Sequence, residues 1–165
     1  MKDDTDRAAA RLLLQIIDHG YETKAWHGPN LTQSLRGVTA KDAAWRPQPG
    51  RHNIWEIALH AAYWKYTVRR RLRGDPRGSF PASGSNWFLR PASLTEKAWR
   101  QDRALLDREH RKLRAAVAGL RRVRAKRVRW HVIFGVAFHD VYHAGQIQLL
   151  KRLHAEARRR GRRAS

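Results

Sequence analysis

Residues 132 to 153 carry a stripe, Val132, Val136, His139, His143, Gln146, Leu150 and Leu153, that recurs in steps of four and three. That spacing puts all seven on one face of an α-helix, the face that other helices cover. Three consecutive positions on it are polar. Each unpartnered imidazole or amide in such a place costs on the order of 1 to 3 kcal/mol, so the fold has to bring partners that satisfy them together.

The remainder of the chain reads as further helices. Leu12, Leu13, Ile16 and Ile17 predict a helix over about 6 to 19, interrupted by Gly20 and then by Gly28-Pro29. A short piece over 30 to 36 follows, with Asn30 as its N-cap and Gly37 as its stop. The stretch TAKDAAWRPQPGRHN reads as a loop with one turn, because Pro47, Pro49 and Gly50 punctuate it and Thr39 with Asp42 resembles a capping pair. From Asn53 the stripe Ile54, Ile57, Ala61, Trp64, Val68, Leu72 predicts a second long helix to residue 73, with arginines complementing its dipole and Gly74 and Pro76 stopping it. Residues 74 to 93 are rich in Gly, Pro and Ser and read as a long loop.

Ser93 or Thr95 opens the third long helix, whose core stripe is Leu106, His110, Leu113, Val117 and Leu120. The fourth runs from about 128 to 130 as far as Ala157, leaving 158 to 165 as a basic tail without structure. No segment alternates like a strand. The expected class is all-α, a four-helix bundle in a single domain over 1 to 157, with a long loop between helices two and three.

A metal ion is one partner that satisfies the polar stripe. His139 and His143, at i and i+4, stand about 5 to 6 Å apart at Cβ and can reach one ion. His60 lies on the same side of its helix as Ile57 and Trp64, and supplies a third imidazole if the second and fourth helices are neighbours. Three ligands leave a coordination position open, as in sites that bind water or substrate. Glu56, one turn before His60, is placed to orient or join it, and Gln146 and Trp64 are candidates for the surrounding pocket, as are His27 and His110. The string HDVYH is close to the HExxH of zinc proteases, but its aspartate is one methylene shorter and is expected to face away from the site. Two histidines at this spacing also occur as hydrogen-bonded packing residues. With no cysteine in the chain, thiolate sites and disulfides are excluded.

The charge is uneven. Of the net +21, two-thirds falls in residues 108 to 165, where 17 Lys or Arg face three acids. The clusters are RRVRAKRVR at 121 to 129 and RRRGRR at 158 to 163, so Arg121, Arg122, Arg124, Lys126 and Arg127 are candidates for non-specific contact with nucleic-acid phosphates. No base-reading motif accompanies them, and an arginine-rich solvated face gives the same composition. The acidic start lacks the basic flank of a signal peptide, and no uncharged run reaches the roughly 18 residues of a membrane span, so the expectation is a soluble, cytoplasmic protein without membrane contact.

The segments IWEIALHAAYW and FHDVYHAGQIQLLKRL, with AWHGPNL and AWRPQPGRHNIWE before them, resemble the DinB-like superfamily of metal-binding four-helix bundles over about residues 8 to 154. The resemblance implies His60, His139 and His143 as ligands of a zinc- or nickel-type divalent ion, and often a homodimer. It implies transferase, isomerase or hydrolase chemistry, in some relatives with a low-molecular-weight thiol. An anionic thiol cosubstrate could be attracted by Arg71 at the end of the second long helix. Because fold and ligands are shared across activities, two other readings stay open: a nucleic-acid-associated basic protein, and a bundle with a purely structural metal.

Overall fold

A computed structural model of the protein describes residues 2 to 78, 80 to 84, 86 to 120 and 130 to 163. Among them there are six helices and no β-strand: α1 (Lys2–Tyr21), α2 (Leu31–Ser34), α3 (Ala40–Ala44), α4 (Ile54–Arg73), α5 (Glu96–Ala118) and α6 (Trp130–Arg163). The all-α expectation holds. The four long helices close a ring in which α4 packs on α5, α5 on α1, α1 on α6 and α6 back on α4.

Helix starts follow local chemistry. Asn30, Thr39, Asn53 and Thr95 each cap a helix by accepting from a backbone N–H in its first turn, and Asn30 and Thr39 complete reciprocal capping boxes. Gly74, at φ 72°, takes the left-handed position that ends α4.

Two helix ends differ from the reading of the sequence. α1 passes through Gly20 to Tyr21, and Gly20 serves close packing: a Cβ there would lie 2.7 Å from the carbonyl oxygen of Ala137 on α6. α6 continues to Arg163, six residues beyond the expected end at Ala157, because five of the six added residues are arginines, good helix formers that need no tertiary cover to prolong an existing helix across Gly161. The expected structureless tail is therefore helical at 158 to 163, with those residues exposed.

The core has two apolar parts. One gathers Trp55, Leu59, Trp99, Leu106 and Ile147 with Phe88 from the loop after α4, and the other gathers Leu13, Ile17, Val68, Leu113, Ile133 and Val136. Between them, in the order of each chain segment, sits a buried polar layer. Lys65 falls between Ala62 and Val68, His110 between Leu106 and Leu113, and Asp140 between Ala137 and Ile147. Among the described residues no helix is long and apolar enough to cross a membrane.

Candidate metal centre

The α4 and α6 stripes meet where the sequence placed its polar residues. His60 is 5% exposed and His143 2%, while His139 is half-buried. The Nε2 of His139 stands 3.0 Å from Nε2 of His60 and 3.0 Å from Nε2 of His143. The three donor atoms lie within 4.8 Å of one another.

The opposite edges of two rings are fixed. His60 donates Nδ1–H to the carbonyl of Asn86 at 2.7 Å, and His143 donates Nδ1–H to Oε1 of Gln146 at 2.7 Å, while Gln146 itself donates to the Tyr142 hydroxyl. With the proton on Nδ1, each Nε2 carries a lone pair that points at the others. Burial lowers the pKa of all three, His139 to about 3 with its neighbouring rings adding to the effect, and His143 to about 4. The rings are thus neutral near pH 7, the form that binds a metal. The lone pairs of His60 and His143 both face Nε2 of His139, whose Nδ1 has no hydrogen-bond partner, so either a proton on that Nε2 or a cation has to lie between them. Nitrogens bound to a tetrahedral zinc at about 2.0 to 2.1 Å stand roughly 3.3 Å apart, so the two 3.0 Å contacts of His139 need to open by only a few tenths of an ångström to suit such an ion. Imidazole alone does not choose between zinc, nickel and related divalent ions.

Trp87 supports the cage from the loop after α4. Its ring stacks on His60 at 3.8 Å and on His52 at 3.7 Å, both within 5° of parallel. Two parallel rings at that spacing cannot share one face, so Trp87 is sandwiched between them. His52 in turn meets a carboxylate oxygen of Glu56 at 2.9 Å. Glu56 therefore does not touch His60 as the sequence suggested. It is held by Arg46, His52 and the backbone N–H of Arg90, with His52 and Trp87 standing between it and His60. Asn86, Trp87 and His52 escaped the sequence reading because their approach depends on the path of an irregular loop.

The cage opens at His139. Its ring lines a cavity of about 270 Å³ with Trp64, Val68, Arg71, His131 and Val136, in the groove between α4 and α6. Trp64 stands edge-on to both His60 and His139, and Arg71 places a cation at the wall of an otherwise mostly apolar space. Asp140 points elsewhere, forming a buried ion pair with Lys65.

Two pocket candidates fall away from this site. His27 is exposed, and His110 lies on α5 against Tyr21, Asp18 and Glu22. The phosphate-binding candidates Arg121, Arg122, Arg124, Lys126 and Arg127 lie outside the described residues.

In a comparison with known families, the model of the DinB superfamily aligns with residues 25 to 147, a span that includes all three histidines. No curated protein and no solved structure matches the chain.

Proposed function

Because the chain belongs to the DinB superfamily and brings three imidazole Nε2 atoms to one point, we propose that it is a divalent-metal-dependent enzyme acting on a small substrate in the α4–α6 groove. The observation that carries this reading is the asymmetry of the cage. Two ligands are closed off by Asn86 and Gln146, and the third borders a cavity of about 270 Å³. A purely structural site is ordinarily closed by four protein ligands, whereas three with an accessible side leave room for chemistry.

When bound, the ion supplies Lewis acidity, drawing the pKa of a water or thiol beside it toward neutrality. His60, His139 and His143 would hold it. Gln146 and the Asn86 carbonyl keep Nδ1 of their partners protonated, which directs each Nε2 inward. Trp64, Val68 and Val136 exclude water from one side of the groove, and Arg71 attracts an anionic group. An anionic low-molecular-weight thiol suits that wall, which supports a thiol-dependent transferase or isomerase ahead of a hydrolase.

The test is metal content followed by turnover. Protein purified without chelator is expected to carry zinc or nickel near stoichiometry, and His143→Ala to carry much less. Loaded wild type is then mixed with a low-molecular-weight thiol and a chromogenic aromatic electrophile. Thiol conjugation that requires the metal and disappears in His143→Ala supports the reading. Equal and negligible metal in both proteins would sink it, and a metal whose removal lowers the melting temperature but leaves no exchangeable position would make the ion structural.

A further inference from the structure

Away from the cage, the end of α1 brings two carboxylates to a buried imidazole. Asp18 and Glu22 are one helical turn apart, and the Glu22 N–H donates to the Asp18 carbonyl at 2.8 Å. Both face His110 of α5, whose Nε2 stands 3.5 Å from Oδ1 of Asp18 and 3.8 Å from Oε1 of Glu22. The His110 side chain is 1% exposed, and neither ring nitrogen has a hydrogen-bond partner. Its ring is stacked on Tyr21 at 3.8 Å, so it cannot swing away to find one without losing that contact.

The separations indicate what kind of partner fits. At 3.5 Å the Asp18 contact is longer than the roughly 2.7 to 3.2 Å of an N–H···O hydrogen bond. Two ligand atoms on a tetrahedral ion with bonds of about 2.0 to 2.2 Å stand about 3.4 Å apart. The three donor atoms here lie within 4.8 Å of one another. Burial, with the nearby charges of Lys65, Arg111 and Arg114, also holds the His110 pKa far below its usual value. The ring is neutral, and one of its orphaned nitrogens presents a lone pair.

We propose that Asp18, Glu22 and His110 form a second divalent-cation site, for zinc or a similar first-row ion, that ties the end of α1 to α5. One imidazole and two carboxylates are a donor set that such ions accept, and the two negative charges balance the ion. Arg114 donates Nε to both Asp18 oxygens, at 3.1 and 3.0 Å. A carboxylate has about four lone-pair positions, so that bridge and a bound ion are compatible. The site does not depend on the function assigned to the histidine cage.

The test uses His139→Ala/His143→Ala protein, in which the cage cannot assemble, titrated with zinc against a chromophoric chelator. One equivalent should still bind and raise the melting temperature. Adding Glu22→Gln, a change at an exposed side chain, should weaken that binding at least tenfold and remove the rise. No binding in the double-histidine variant, or equal affinity with and without Glu22→Gln, overturns the proposal. If the double-histidine variant does not fold, the same comparison is made in the otherwise unaltered chain, where zinc stoichiometry should fall from two to one on Glu22→Gln. An unchanged stoichiometry there overturns it as well.

Discussion

Lys65 of α4 and Asp140 of α6 form an ion pair with both side chains 1% exposed, one residue away from Trp64 and His139 respectively. The pair therefore fixes the register of the two helices that carry the cage. Burial raises the Asp140 pKa and the Lys65 ammonium opposes the rise. Its other oxygen has no hydrogen-bond partner, so the pair is incompletely satisfied.

Removing one member strands the other. Lys65→Met is expected to cost about 3 to 5 kcal/mol near pH 7, and the double change Lys65→Met/Asp140→Leu to recover most of that loss, because an apolar pair avoids the desolvation of two charges. Urea unfolding of the three proteins measures it. A double variant no more stable than Lys65→Met would show that the ion pair is more than a mutually compensated burial.

Gln146 tests how the cage is held. Gln146→Leu keeps much of the side-chain volume but leaves His143 Nδ1 without its acceptor. Loss of such an outer partner typically lowers metal affinity about 10- to 100-fold. Competition with a chromophoric chelator reads the affinity, and the melting temperature of the metal-free protein should change little, since Gln146 is only half-buried. Unaltered affinity would mean that Gln146 does not orient His143.

The three clustered histidines were legible in the sequence because they sit on helices, where spacing alone decides which side chains share a face. The same holds for the α4 and α5 starts at Asn53 and Thr95 and for the caps at Asn30 and Thr39. Lys65 was invisible for the opposite reason: a lysine in a helix reads as solvated, and only the arrival of Asp140 from α6 makes burial tolerable. Glu56 was seen but misassigned, since i, i+4 spacing to His60 says nothing of Arg46 and His52 reaching its carboxylate first. Gly20 was read as a stop because glycine disfavours helix interiors, whereas here the packing of α1 against α6 requires it.

Gly20→Ala puts those two effects in opposition. Alanine gains about 1 kcal/mol of helix propensity over glycine. Its Cβ would lie 2.7 Å from the Ala137 carbonyl oxygen, and the obstacle is backbone, so α1 and α6 must separate. Overpacking of this kind costs about 1 to 3 kcal/mol, and a net loss of stability is expected. A melting temperature above that of the parent protein would show that the helices separate at no cost.

Glu56 makes stability depend on pH. Its side chain is 4% exposed, which pushes its pKa up, but hydrogen bonds from Arg46 and His52 outweigh burial and the net shift is downward. The unfolded chain, with a glutamate pKa of about 4.3, then binds the proton more readily than the folded one. The stabilisation from this carboxylate is fully present above that value and is lost as pH falls through the lower folded value. Glu56→Gln should therefore be less stable than the parent by about 1 to 3 kcal/mol near pH 7, and the gap should close in acid. Urea unfolding of both proteins from neutral pH down to about pH 3 measures the gap, and because every other carboxylate is common to the pair, the difference isolates Glu56. A gap that stays constant across this range would mean that the ionised form of Glu56 contributes nothing that glutamine does not.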